Sequence, residues 1–143
     1  MITKLHKFAA VISTLSITVF FISSILVELF ASHQSIAIVK SLIVIPGLFI
    51  LIPAIAMTGG TGFVLSKTRK GLLVKNKKRR MPFIAANGIL ILIPSAIVLN
   101  YWAASGMFEN RFYLIQSLEL LAGAINLTLM TMNMRDGLKM TVK

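Results

Sequence analysis

The chain reads as an all-α membrane protein, a four-transmembrane-helix bundle of antiparallel up-down topology with both termini cytoplasmic. Three observations predict it. Of 143 residues, 57% are hydrophobic and 13% charged, against about 25% charged in soluble domains. The apolar residues gather into four stretches, 8–30, 36–57, 82–104 and 112–134, each near the ~20 residues that cross a bilayer as helix. The basic residues sort to one side of those stretches. The length suits a single integral membrane domain, 1–143.

Span 1 follows a short basic head, Lys4 and Lys7. Its apolar run exceeds a secretory h-region and no small-residue cleavage site follows, so a retained signal-anchor is expected. Pro46 and Pro53 interrupt span 2 and Pro94 interrupts span 3; each removes a backbone hydrogen bond and invites a kink. Pro82 is read as the harmless first residue of span 3. Span 2 leaves the membrane through Met57-Thr58-Gly59-Gly60-Thr61-Gly62, read as a helix end and flexible exit into a basic cytoplasmic loop, 58–81. Arg135 and Asp136 close span 4, with Gly137 as its terminator.

Lys4 and Lys7, then Lys67, Arg69, Lys70, Lys75, Lys77, Lys78, Arg79 and Arg80, then Arg135, Lys139 and Lys143 share one side, and only Arg111 lies on the other. The positive-inside rule makes the basic side cytoplasmic. Tyr101, Trp102 and Tyr113 are the aromatic anchors of the opposite interface. The net charge of +11 is accounted for by topology and anionic lipid. A nucleic-acid partner is not expected, because the basic segment lacks interleaved aromatics and a folded platform. There is no cysteine, which excludes disulfides, thiolate metal sites and CxxC chemistry. No HExxH, Ser/His/Asp or paired-carboxylate arrangement of hydrolase type occurs.

One face of span 4 carries Gln116, Glu119, Gly123, Asn126, Met130 and Asn133. Alternate spacings of three and four place them within about a 100° arc. Such a stripe should face another helix or a cavity. Its outer half lies at the depth of Glu28 and Lys40, and His33 sits above them in the turn. Ser16 and Ser24 add hydroxyls on the face of Glu28. This polar cluster of Glu28, Lys40, Gln116 and Glu119 reads either as an ion pair that fixes packing or as a vestibule for a quinone headgroup, a proton or a small cation. In the ion-pair reading Lys40 and Glu28 snorkel partly outward. The inner half, Asn126 and Asn133 with Asn87 of span 3, is expected near His6, Met57 and the glycine-rich exit.

His6 and His33 bracket span 1 and lie roughly 40 Å apart along a helix, too far to share a metal. A haem iron held by histidine needs a second ligand at the same depth. For His6 the options are Met57, a span-4 methionine, or His6 of a second subunit. For His33 they are its symmetry mate or a water. Gly123 and Ala124 allow the close approach that a homodimer uses.

The opening Leu5-His6-x-x-Ala9-Ala10, with a proline-containing second span that ends Thr58-Gly59, resembles the CopD-like and cytochrome b561-like membrane bundles. That resemblance implies haem b with His6 as a ligand, and electron transfer. The segment Arg80-Met81-Pro82-Phe83-Ile84-Ala85-Ala86-Asn87-Gly88 through span 4 is similar to small bacterial polytopic proteins of no assigned role, which implies a bacterial cytoplasmic (inner) membrane. Two function classes follow. One is a haem-b-binding or quinone-linked electron-transfer module. The other is a non-redox small transporter, or an accessory or assembly subunit for a partner membrane protein, built on the Glu28/Lys40/Glu119 cluster.

Overall fold

The computed structural model describes residues 1–140; Lys143, part of the basic count above, lies outside the described residues. Six helices follow in order: α1 (Ile2–Phe30), α2 (His33–Leu42), α3 (Phe49–Thr68), α4 (Leu72–Asn87), α5 (Ile93–Ala104) and α6 (Asn110–Lys139). No strand occurs among the described residues. Helices α2 and α3 form one span, broken between them over Ile43–Leu48. Helices α4 and α5 form another, joined by a wide π-helical turn over Gly88–Leu92. The four resulting helices, Ile2–Phe30, His33–Thr68, Leu72–Ala104 and Asn110–Lys139, are each long and apolar enough to cross a membrane.

The bundle is apolar on its outside. Phe8, Leu15, Val19, Leu29, Phe49, Leu90 and Leu114 are all more than half exposed. A soluble monomer rarely exposes apolar area on that scale; lipid removes the penalty. Inside, side-chain bonds fix the topology. His6, Ser13 and Ser24 of α1 meet Thr61, Thr58 and Lys40 in descending order, so spans 1 and 2 are antiparallel. Arg80 and Asn87 meet Asp136 and Asn126, so spans 3 and 4 are antiparallel too. The basic residues therefore share one end, and Tyr101 and Tyr113 stand exposed at the other.

Two apolar clusters hold the bundle. One, near the basic end, comprises Ile17, Leu48, Leu51, Ile84 and Met130. The other comprises Ile36, Leu99, Ala103 and Phe112. Ser24, Lys40 and Glu119 lie between them.

Of the three expected kinks, those at Pro46 and Pro94 form, each by a different route, and the one at Pro53 does not. Pro46 has no N–H to give and its ring crowds the carbonyl of Leu42. The residue before it, Ile45, leaves the helix for extended backbone at φ −132°, ψ 114°. Pro94 would crowd the carbonyl of Leu90, and the chain instead widens to π-helical turns over Gly88–Leu92. Pro53 sits within a continuous α3.

Four local expectations need correction. The basic segment 58–81 is not a loop: α3 runs to Thr68, α4 starts at Leu72, and only Arg69–Gly71 separates them. The glycine-rich stretch is thus interior to α3, where neighbouring turns supply its hydrogen bonds. Pro82 is likewise inside α4 rather than at its start. Gly137 does not end span 4, because α6 continues to Lys139.

Glycine separates the tight places from the open ones. A Cβ on Gly47 would lie 2.6 Å from the ring of Phe20 and 2.9 Å from the Leu42 carbonyl. One on Gly60 would meet nothing within 4 Å. Gly47→Ala is therefore expected to lower stability by about 1–3 kcal/mol through overpacking. Gly60→Ala is expected to be neutral or to stabilise by up to about 1 kcal/mol. Thermal melts of the two variants in detergent check the contrast.

Candidate functional site

Span 4 presents its stripe inward as the spacing predicts: Gln116, Gly123, Asn126, Met130 and Asn133 are buried, and the Glu119 side chain is 12% exposed. Asp136 extends the stripe by one more turn and is also buried. The stripe divides into two sites of different character.

At the outer site Lys40 is wholly buried, at 0% exposure. It does not snorkel. Its ammonium donates to Glu119 Oε2 at 2.6 Å and to Ser24 Oγ at 3.3 Å. Gln116 Nε2 donates to the same Glu119 oxygen at 3.2 Å. Lys40 stands in the last turn of α2, just before the proline break. The unpaired carbonyls of that half-helix end favour a cation there. The break thus makes the lysine position, and helices α1 and α6 bring the partners. Glu28 lies one turn beyond Ser24 on the same face of α1, within electrostatic reach of Lys40 and Glu119. Two carboxylates therefore attend one ammonium.

The hydrogen-bond ledger of this cluster is incomplete. Glu28 Oε1 and Gln116 Oε1 are buried and have no partner among the described residues. Both of Glu119's hydrogen bonds converge on Oε2, which leaves Oε1 for another donor. Buried acceptors without donors are rare in native proteins.

A cavity of about 330 Å³ adjoins the cluster. Ser24, Glu119 and Asn126 are its polar margin; Phe20, Leu51, Ile55, Met81 and Leu92 are among its apolar walls. All four spans line it, with Ile43 and Leu48 at the break in span 2 and Gly88, Ile89 and Leu92 at the wide turn in span 3. Ile52 on one side and Ile89 on the other line it and are also exposed on the bundle's outer face, at 46% and 63%. The opening is therefore lateral, toward lipid.

At the inner site the polar groups find partners. Asn87 Nδ2 donates to the Ala122 carbonyl at 2.8 Å and to Asn126 Oδ1 at 2.9 Å. Asn126 Nδ2 donates to the Ile84 carbonyl at 3.3 Å. Arg80 Nη1 donates to Asp136 Oδ2 at 2.6 Å and to Asn133 Oδ1 at 3.3 Å. The amide of Asn133 turns to Met81 Sδ at 3.6 Å. This is a polar zip between α4 and α6.

Of the neighbours expected for that inner half, Asn87 bonds to Asn126, whereas the bonds of His6 run to the glycine-rich stretch. His6 Nδ1 meets Thr61 Oγ1 at 3.0 Å, and its ring lies against Gly62, where a Cβ would approach within 3.2 Å. Thr61 in turn donates to the Met57 carbonyl. Met57 is 41% exposed. His33 is exposed at the opposite end, stacked on Phe108 with ring centroids 4.0 Å apart and hydrogen-bonded to Tyr113 at 3.5 Å. Gly123 receives Phe21 of its own chain, 3.3 Å from where a Cβ would stand.

Two elements went unforeseen. Ser13, rather than Ser16, is the buried partner of Ser24 on α1; it lies within 3.4 Å of Thr58. The Arg80–Asp136 pair was hidden among eight basic residues, although Asp136 continues the three-residue step from Asn133. Among the described residues no cluster of three or more His, Asp or Glu side chains could hold a metal ion. No protein-family model, curated protein or solved structure matches the chain.

Breaking the Lys40–Glu119 pair from one side strands a buried charge, which costs about 3–5 kcal/mol. Glu119→Leu is expected to lose that much, whereas Glu109→Leu, at an exposed helix start, stays near wild type. The double variant Lys40→Met/Glu119→Leu is expected to regain most of the loss. Denaturant titration in mixed micelles reads all three.

Proposed function

We propose that this chain is a small non-redox membrane protein that binds a lipid-soluble organic cation, as a transporter or as the accessory subunit of one. The observation that carries the reading is a lateral apolar cavity whose polar margin belongs to a cluster with two carboxylates and one ammonium. The cargo has an apolar body and one protonated amine. Its body occupies the cavity, and its ammonium donates to Glu119. Lys40 then turns from Glu119 to Glu28, whose vacant Oε1 supplies the second seat. Each cation ends on its own carboxylate, and the orphaned acceptor is satisfied. Under the positive-inside rule the basic end is cytoplasmic, so the cluster lies in the outer half of the bilayer and Glu28 is nearest the outer surface.

The test uses the full chain in lipid nanodiscs with a lipophilic carbodiimide, which reaches carboxyls from the bilayer. The adduct is expected on Glu119, mapped by peptide mass spectrometry. Decylamine is expected to protect at concentrations about tenfold below decanol, the factor that a charge-assisted hydrogen bond of ~1.5 kcal/mol gives. Glu28→Gln is expected to abolish that difference. Equal protection by the amine and the alcohol would overturn the reading, as would labelling confined to other carboxyls.

The haem reading has the His6 imidazole as its support and nothing here that favours it over the cation site. Protein from haem-replete cells is expected to show no Soret band. A band that disappears in His6→Ala would replace the present proposal with a haem-b module.

A further inference from the structure

A second recess lies on the outside of the bundle, between α4 and α6 at the basic end. It is lined by Asn76, Arg79, Arg80, Phe83 and Asn87 of α4, with Ile125 and Leu129 of α6. Asn76, Arg79, Phe83 and Asn87 recur at steps of three and four and so form one stripe on one helix face, with Arg80 beside it. From Asn76 to Asn87 the stripe rises about 16 Å, close to half of the ~30 Å hydrocarbon thickness of a bilayer. The recess is thus about one leaflet long. Its volume is about 620 Å³.

Its chemistry changes along its length. Asn76, Arg79 and Arg80 stand at the end nearest the basic turn, where lipid headgroups lie. Below them Phe83 and Ile125 are exposed, at 64% and 48%, and Leu129 completes an apolar floor. Arg80 is already engaged with Asp136 and Asn133. Arg79 is exposed and has no ion-pair or hydrogen-bond partner among the described residues. A free guanidinium above a leaflet-long apolar channel is complementary to one kind of molecule: an anion at the head and an apolar chain beneath it.

We infer that this recess is a binding site for one anionic phospholipid of the basic-side leaflet. Arg79 takes the phosphate through a bidentate pair of N–H bonds, with Asn76 as a neutral donor beside it. One acyl chain lies along Phe83, Ile125 and Leu129. The apolar floor selects a lipid over free phosphate. The site is separate from the Lys40 cluster and does not depend on the cation reading.

The experiment is native mass spectrometry of the full chain released from micelles that contain phosphatidylglycerol and phosphatidylcholine in equal amounts. One phosphatidylglycerol is expected to stay bound in preference to phosphatidylcholine. Arg79→Gln is expected to cut that retention about fivefold, the effect of one basic residue at a lipid surface. Lys78→Gln, one position away and outside the recess, is expected to leave it unchanged. Phe83→Ser is expected to reduce retention of both lipids alike. An equal loss in Lys78→Gln would show general electrostatic attraction and overturn the site. So would full competition by soluble glycerol phosphate, which shares the headgroup chemistry but has no chain. Melting temperature measured on each variant in phosphatidylcholine alone separates lost binding from lost folding.

Discussion

The burial of Lys40 is the constraint around which the bundle is arranged. An ammonium without water is several kcal/mol out of balance unless partners surround it. Those partners come from different helices: Ser24 from α1, and Glu119, held by Gln116, from α6. They must arrive at one depth, so spans 1, 2 and 4 have one compatible register. Other contacts agree with it. His33 reaches Tyr113 on the outer side of the cluster, Phe21 seats on Gly123 just inside it, and His6 reaches Thr61 at the basic end. In lipid, apolar side chains provide little preference among registers. A polar cluster of this kind does.

The same constraint gives the prolines their role. Pro46 ends α2 a turn and a half after Lys40 and leaves that lysine at the negative end of a half-helix. Pro94 widens span 3 on the facing side. Both distortions border the cavity, through Ile43 and Leu48 in span 2 and Gly88, Ile89 and Leu92 in span 3. The breaks therefore serve two ends: they favour the buried cation, and they border the route to it from the membrane.

The two halves of the span-4 stripe differ in how completely their polar groups are matched. Asn87, Asn126, Asn133, Arg80 and Asp136 form a network in which donors and acceptors are matched across α4 and α6. Such a network rigidifies and specifies packing. The outer cluster is as buried but unmatched, with acceptors on Glu28 and Gln116 left open and a second carboxylate where one would neutralise the lysine. Packing alone gives no reason to retain that surplus.

Much of this was legible in the chain. Hydropathy and the sorting of Lys and Arg determine four spans and a basic end, because the backbone in lipid must be helical and charged residues avoid the hydrocarbon. Periodicity determines that Gln116, Glu119, Gly123, Asn126, Met130 and Asn133 face inward, because a helix turns by a fixed angle per residue. The depth of Glu28, Lys40 and Glu119, counted from the short turns, brings them together. Other features are decided only by the tertiary structure. Periodicity cannot say which helix a stripe faces, and so Asn126 and Asn133 were expected near His6 as well as Asn87, yet their bonds run to α4. Composition cannot separate a basic loop from two charged helix ends, and so α3 and α4 continue well beyond their apolar stretches. Nor can it separate Arg80, bonded to Asp136, from Arg79, free beside it. Those outcomes depend on which side chains meet across helices, a relation between distant residues that no local pattern carries.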